Sequence, residues 1–266
     1  MSQGASAFSI DLPWSTQSRG CAVVASIDDE GLVEIEEISR GLDRDRLIRN
    51  LQSRSAADPL IVMDIPVDGC NQLSPGVYRR LELRLKRLQM GVLPAGDAGT
   101  LGPDLAAQIQ SAIPAARVVE GHPYGVLKVL HAMAESGVTP DHMFGPLCAV
   151  LDAKFPGSWP PRYKRAKTAQ MRALACERVR ELIMEFFPGC RAALASPAGR
   201  STDALDAVLG LYPAWLQKMG SAWTYLATDP AGGSILLLAD RWWRDRFESL
   251  IPTHELPVFH QGATPC

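Results

Sequence analysis

Pro59–Ile65 reads PLIVMDI, a nearly continuous apolar run interrupted by one acid, Asp64. Such a run is what a strand buried on both faces of a sheet looks like. Ala7–Leu12 (AFSIDL) is a second short apolar strand, and it too carries a single acid, Asp11, before a turn at Pro13. Gly20–Ile27 (GCAVVASI) reads as another strand. Gly31–Ile38 (GLVEIEEI) alternates apolar and acidic residues as a half-exposed strand does, and the Asp28–Gly31 turn joins the two as a hairpin. Three strands that start antiparallel and feed a buried fourth predict an α/β fold, a mixed sheet covered by helices on both faces.

Beyond Ile65 the pattern turns to helices and loops. Val77–Met90 has Val77, Leu81, Leu85 and Leu88 at helical spacing, between loops at Gly69–Gly76 and Gly91–Pro103. Earlier, Asp43–Arg54 is a polar helix. Arg117–Glu120 (RVVE) is a further short strand, followed by a helix near Tyr124–Ala134. Tyr163–Phe187 is a long helical stretch with Met171, Leu174, Leu182, Ile183 and Phe186 on its apolar side, stopped by Pro188-Gly189. Thr202–Tyr212 is another helix, which Pro213 should end or kink. A late hairpin spans Asp229–Gly233, with Ile235–Leu238 as its second strand. The organisation expected is one domain over 1–266, with a helical insertion around 135–200 and a C-terminal extension.

Composition excludes several classes. In 266 residues, 47% hydrophobic and 21% charged residues are ordinary for a globular chain. The longest clean apolar run, Ile235–Ala239, falls far short of a membrane helix, and the start MSQGASAFSIDLPW has neither the basic nor the apolar region of a signal peptide. The six cysteines form no CxxC pair and the five histidines lack zinc-ligand spacing, so reduced thiols in a cytoplasmic protein are expected. The formal net charge of -2 conceals segregation: residues 1–70 hold 6 basic and 12 acidic residues, whereas residues 159–200 hold 9 basic and 3 acidic.

The acids carry the chemistry. Asp11 and Asp64 each sit at a strand end inside a run that belongs in the core, where an ionised carboxylate is costly unless paired or metal-bound. An aspartate at a turn also serves as a cap, and the nearby Pro13 and Pro66 suit that role. Taken as a pair on neighbouring parallel strands, both would emerge at the carboxyl edge of the sheet, where open α/β sheets place ligands. Glu120 ends the RVVE strand and would point to the same edge, or else be an ordinary exposed Glu. Asp203 and Asp206, three apart on the Thr202 helix, share a face. Asp203 is also what a helix first turn favours, whereas Asp206 sits beside the apolar Leu205/Leu209 arc. Such oxygen donors suit Mg²⁺ or Mn²⁺. Two such ions roughly 3.5–4 Å apart can activate water against a phosphodiester.

The segments IDLPWS (Asp11), VMDIPV (Asp64), VVEGHPYG (Glu120), RYKR (Tyr163-Lys164) and TDALDAVLGLY (Asp203, Asp206) occur in this order. Together they resemble domain of unknown function family 429, described as predicted nucleases of the RNase H-like superfamily, over about Ile10 to Asp240. The resemblance implies an RNase H-like fold, a mixed five-stranded sheet of order 3-2-1-4-5. It puts one metal-binding acid on strand one (Asp11), one on strand four (Asp64) and one on a late helix (Asp203/Asp206). That D-x-x-D helix is also similar to the last acidic helix of Holliday-junction resolvases. Glu120 matches the family's strand-five acid, and Lys164 its basic motif. The family often has an Arg, an acid and a Pro-Ala-Asn segment after strand four, where this chain has Asn71, Tyr78-Arg79-Arg80 and Pro94-Ala95-Gly96.

Two basic runs could track a phosphate backbone or be solvated helix faces: Arg79, Arg80, Arg84, Lys86 and Arg87, and Arg162, Lys164, Arg165, Lys167 and Arg172. Lys164 could contact a scissile phosphate or order the acids. Tyr163 could stack on a base or pack, and His122 could be a base, a ligand or a hydrogen-bonded structural residue. Trp14 and Ser15 could border the site, and Trp223, Trp242 and Trp243 read as core or edge packing. The leading expectation is a metal-dependent nuclease with nucleic acid as partner. The alternative is a non-catalytic RNase H-like protein that binds nucleic acid or a protein partner. An actin-like ATPase or sugar kinase would need a Gly-rich phosphate turn after Asp11, where Leu12-Pro13-Trp14-Ser15 stands instead.

Overall fold

The computed structural model describes residues 4–12, 21–40, 42–70, 72–144, 159–229 and 232–250. Trp14, Ser15, Asn71, Cys148, Cys266 and the tip of the late hairpin lie outside them. β1 (Ala5–Asp11) pairs antiparallel with β2 (Cys21–Ile27), and β2 pairs antiparallel with β3 (Val33–Arg40). On its other side β1 runs parallel to β4 (Ser55–Met63), which runs parallel to β5 (Arg117–Gly121).

The sheet then departs from the expected five strands. β6 (Thr224–Thr228) and β7 (Ser234–Leu238) form the late hairpin, and β7 docks parallel against β5, giving seven strands in the order β3-β2-β1-β4-β5-β7-β6. The first five positions keep the order 3-2-1-4-5. Without β7 the short β5 would present an open edge; the almost wholly apolar SILLL of β7 covers it.

Alternation within β1 and β4 explains why their runs are continuous rather than patterned. Ala7, Leu60 and Val62 face one core layer and Phe8, Ile10, Ile61 and Met63 the other, so side chains of both parities need apolar surroundings. The second layer is closed by α1 (Arg44–Arg54) through Leu47 and Leu51, and by α3 (Leu101–Ala112) through Leu105 and Ile109. α1 starts on the Asp43 side chain, which accepts from the Arg46 N–H at 3.0 Å. The first layer is closed by α4 (Pro123–Glu135), α5 (Ala169–Phe186) and α7 (Thr202–Lys218), with the short α2 (Arg80–Arg87) and α8 (Arg241–Ser249) at the β5–β7 end. The brief α6 (Arg191–Ala195) lies between α5 and α7 in the chain, within the expected helical insertion. No helix among the described residues is long and apolar enough to cross a membrane, and the four described cysteines form no disulfide. Trp223 and Trp243 are fully buried, as expected of core residues.

Four local expectations need correction. The Val77–Met90 helix is shorter, Arg80–Arg87. The Tyr163–Phe187 helix begins at Ala169, because Thr168 caps it by accepting from the Met171 N–H at 3.1 Å. The Gly91–Pro103 loop ends early: α3 starts at Leu101, since Pro103 falls in its first turn, where a missing N–H costs nothing. Gly102 is needed there, because a Cβ would collide with the Pro66 carbonyl. Finally, α7 runs through Pro213 to Lys218, held on both sides of the proline by buried Leu209, Leu211, Tyr212, Ala214 and Leu216.

α7 is the helix that sets the site. It lies across β1 and β2 and touches β4. Its small residues let it come close: a Cβ on Gly210 would collide with the Ser9 hydroxyl of β1. Replacing Gly210 by Val should therefore force helix and sheet apart and cost about 1–3 kcal/mol. Urea unfolding checks this, and a midpoint unchanged from the parent chain would contradict the close approach.

Candidate metal centre

Strand parity decides which acids meet. Asp11 shares its face of β1 with Ala7 and Ser9, the face that carries α7. Asp64 lies one residue beyond the end of β4, and its N–H donates to the Ile10 carbonyl at 3.0 Å. That bond extends the ladder past the strand end and holds Asp64 beside Asp11. Asp206 precedes Gly210 by one helical turn on α7. The close approach at Gly210 over Ser9 thus brings Asp206 over the end of β1. One carboxylate oxygen from each of Asp11, Asp64 and Asp206 lies within 4.8 Å of the others.

Two further side chains complete the cluster. The Tyr163 hydroxyl donates to Asp206 Oδ1, and the Lys164 ammonium pairs with Asp206 Oδ2. Both come from the segment ahead of α5 rather than from the helix expected there. Tyr163 is 2% exposed, so it packs and anchors Asp206 instead of offering a ring for stacking.

The electrostatics follow from burial and crowding. Burial pushes Asp11 well above the ordinary carboxylate range, the charges of Asp206 and Asp64 push it further, and Lys164 pulls back. Burial and Asp206 raise Asp64 to about 7, against Lys164 and a hydrogen bond with Asp11. Burial also raises Asp206, opposed by the Lys164 charge and by the hydrogen bonds from Lys164 and Tyr163. For Lys164, burial alone would lower the ammonium, but the charges of Asp206, Asp11 and Asp64 more than reverse that. The donor set is all carboxylate oxygen, with one lysine against three acids, which fits a hard divalent cation such as Mg²⁺ or Mn²⁺.

The remaining sequence candidates fall outside this cluster. Asp203 is half-buried in the first turn of α7, takes a hydrogen bond from Thr202 at 3.2 Å, and borders the three acids closely enough to raise Asp11 and Asp206. Glu120 does not join them. It is the register partner of Met63, and its carboxylate is turned to the start of α2 rather than to the three acids. There Arg79 holds it, with Nη2 donating to Oε1 at 2.9 Å and to Oε2 at 2.6 Å. Arg79 Nε donates to Glu82 Oε1 at 2.7 Å, and Nη1 to the Asp68 carbonyl at 2.7 Å. Burial pushes the Glu120 carboxyl up and the Arg79 charge pulls it back. Arg79 and Arg84 are each 5% exposed, so the Arg79–Arg87 run is not a continuous phosphate track. His122 is structural: burial lowers it to about 4, and its neutral ring lies 2.9 Å from the Met90 carbonyl. Sequence reading missed the Arg79–Glu82–Glu120 network, although Arg79 and Glu82 stand at the i, i+3 spacing that would have signalled a local pair.

The raised carboxylates make stability depend on pH. A carboxyl whose folded pKa exceeds its unfolded value binds more protons in the native state, so stability falls as pH rises through the folded value. His122, lowered to about 4, works the other way below its unfolded pKa of roughly 6.5. The window that isolates the acids is therefore about pH 6.5–8. In metal-free buffer the melting temperature should drop across it, through Asp64 at about 7 and Glu120 at about 8. Asp64→Asn should flatten that slope and raise the melting temperature at pH 8, by roughly 2–4 °C for each kcal/mol of repulsion relieved. Thermal melts of the two proteins at matched pH check this, and parallel slopes would refute it.

No family model, no curated protein and no solved structure matches this chain, and a functional reading rests on the geometry of Asp11, Asp64 and Asp206.

Proposed function

We propose that the protein is a metal-dependent phosphodiesterase acting on nucleic acid, with an RNase H-like fold. The observation that carries this reading is the convergence of Asp11, Asp64 and Asp206 oxygens within 4.8 Å at the carboxyl edge of parallel strands. The strand order β3-β2-β1-β4-β5 supports the fold assignment, as does the placement of the acids on strand one, after strand four and on a late helix. Together with the five ordered motifs they also support membership of the predicted-nuclease family named above.

In this reading Asp11, Asp64 and Asp206 hold Mg²⁺ or Mn²⁺, with Asp203 at the border. When bound, a divalent ion supplies Lewis acidity and a water of lowered pKa. The chain's own residues do the rest. β1 and β4 fix two carboxylates by backbone pairing. Tyr163 orients Asp206, and Lys164 balances charge and is the cation nearest to where a scissile phosphate would lie. Glu120 lies outside the three-acid cluster and anchors Arg79.

A second reading has one observation in its favour. The Lys164–Asp206 ion pair already neutralises part of the cage, as it would in a non-catalytic protein that kept the scaffold. Two measurements separate the readings. Titration calorimetry with Mn²⁺ should show binding to the parent chain and none to Asp64→Ala. Asp11→Asn should abolish Mg²⁺- or Mn²⁺-dependent cleavage across a panel of DNA, RNA and branched substrates while leaving the thermal melt intact. At about a hundredfold excess over its dissociation constant, the metal should stabilise the parent by about 2.7 kcal/mol. Absence of Mn²⁺ binding, or cleavage that survives Asp11→Asn, would sink the proposal.

A further inference from the structure

Apart from the acids, a groove of about 670 Å³ lies between α5, α6 and the start of α7. Arg172 and Arg180 of α5, Arg191 of α6 and Arg200 just ahead of α7 line it, over a floor that includes Ala173 and Leu194. The one acid in the lining, Glu177, is engaged by Arg180 at 3.2 Å. Among the described residues, Arg172, Arg191 and Arg200 have no acidic partner, and all three are exposed. Like-charged guanidiniums gathered around one hollow repel one another unless an anion sits among them. Arg180 Nη2 also donates to the Arg200 carbonyl at 2.6 Å, which fastens the start of α7 to α5 and fixes the groove wall.

The groove lies beside the carboxylate cluster, since Cys176 in its lining is close enough to feel the Asp206 charge. Thr202, in its lining, opens α7 and hydrogen-bonds Asp203, and Asp206 follows one turn later. Arg172 and Arg180 are eight residues apart on α5, roughly 12 Å along the axis.

We infer that this groove is the path of a polynucleotide strand, whose phosphates lie on Arg172, Arg191 and Arg200, with Arg180 holding the wall, and whose scissile bond is thereby delivered to the carboxylate cluster. The inference rests on the phosphodiesterase reading for its direction. Guanidinium groups match phosphate geometry with paired N–H donors. The apolar floor between them accommodates sugars and base faces, which a strand can present and a duplex cannot. An acidic peptide would meet the same arginines, but its carboxylates would gain nothing from a path that ends at three acids.

The test is fluorescence anisotropy with a labelled single-stranded oligonucleotide and the full chain in EDTA, where binding is read without cleavage. The double variant Arg172→Glu/Arg191→Glu should lose at least about tenfold in affinity. The milder Arg172→Ala/Arg191→Ala should lower the slope of log affinity against log salt by about 1.4, the value for two lost phosphate contacts on a single strand. Mn²⁺ affinity should be unchanged in both, since neither residue touches the acids. Unchanged oligonucleotide affinity and salt slope would overturn the groove. Poly-glutamate that binds equally well, through the same arginines, would overturn the polynucleotide assignment. Strand binding that depends on these arginines, with no cleavage on adding Mn²⁺, would leave the groove standing and remove the hydrolytic reading. Cleavage by a protein whose strand binding ignores them would do the reverse.

Discussion

Asp11, Asp64 and Asp206 are held within reach of one another in a setting that water cannot fully screen. Two unit charges about 5 Å apart repel by roughly 3 kcal/mol at an effective dielectric of ~20. Most of the surrounding architecture makes sense as the means of holding that cluster together. Backbone pairing between β1 and β4 places two of the acids whatever their charge. The apolar face of α7, packed on β1 and β2, brings in the third against the repulsion. Tyr163 and Lys164 then pin Asp206 from a segment outside both elements. A core that gains nothing from three carboxylates, yet spends packing on assembling them, has the profile of a site kept for function at the expense of stability.

A second ionic cluster, between β5 and the start of α2, has a different character. Arg79 is surrounded by Glu82, Glu120 and the Asp68 backbone, and each donor has an oxygen within hydrogen-bond distance. Its charges are matched where those of the three-acid cluster are not. The contrast shows why burial of an acid alone says little about chemistry. Glu120 is as buried as Asp11, but it has a guanidinium for a partner.

Much of this was legible in the sequence. Asp11 and Asp64 stood out because each interrupts an apolar run, and Asp206 because it sits in a helix arc that otherwise calls for Leu. The meeting of Asp11 and Asp64 needs only that strand one lie beside strand four, whereas Asp206 joins them through the close packing of α7 on β1. Glu120 stands apart from the three because Arg79 engages it, a tertiary pairing that one strand's sequence does not carry. The helix at Leu101 hid behind Gly102 and Pro103, residues that usually mark loops and here permit a close approach and a helix first turn. The arginine groove was only half visible. Arg172 belonged to a basic run, but Arg191 and Arg200 join it through tertiary packing alone.

The three acids also differ in where they sit along the chain. Asp11 and Asp64 belong to its first quarter, and Asp206 arrives only after the helical segments between have been threaded. An ion shared between Asp64 and Asp206 would therefore act as a clasp across a very long loop, and the entropy of closing such a loop grows only slowly with its length. The body of the sheet would gain little from that clasp, since it is already zipped by its ladder. What would gain is the seating of α7, and with it the border that its first turn gives the groove. Loss of the ion should thus be felt first as a loosened helix, susceptible to proteases at the turns that flank it, while the sheet beneath stays intact.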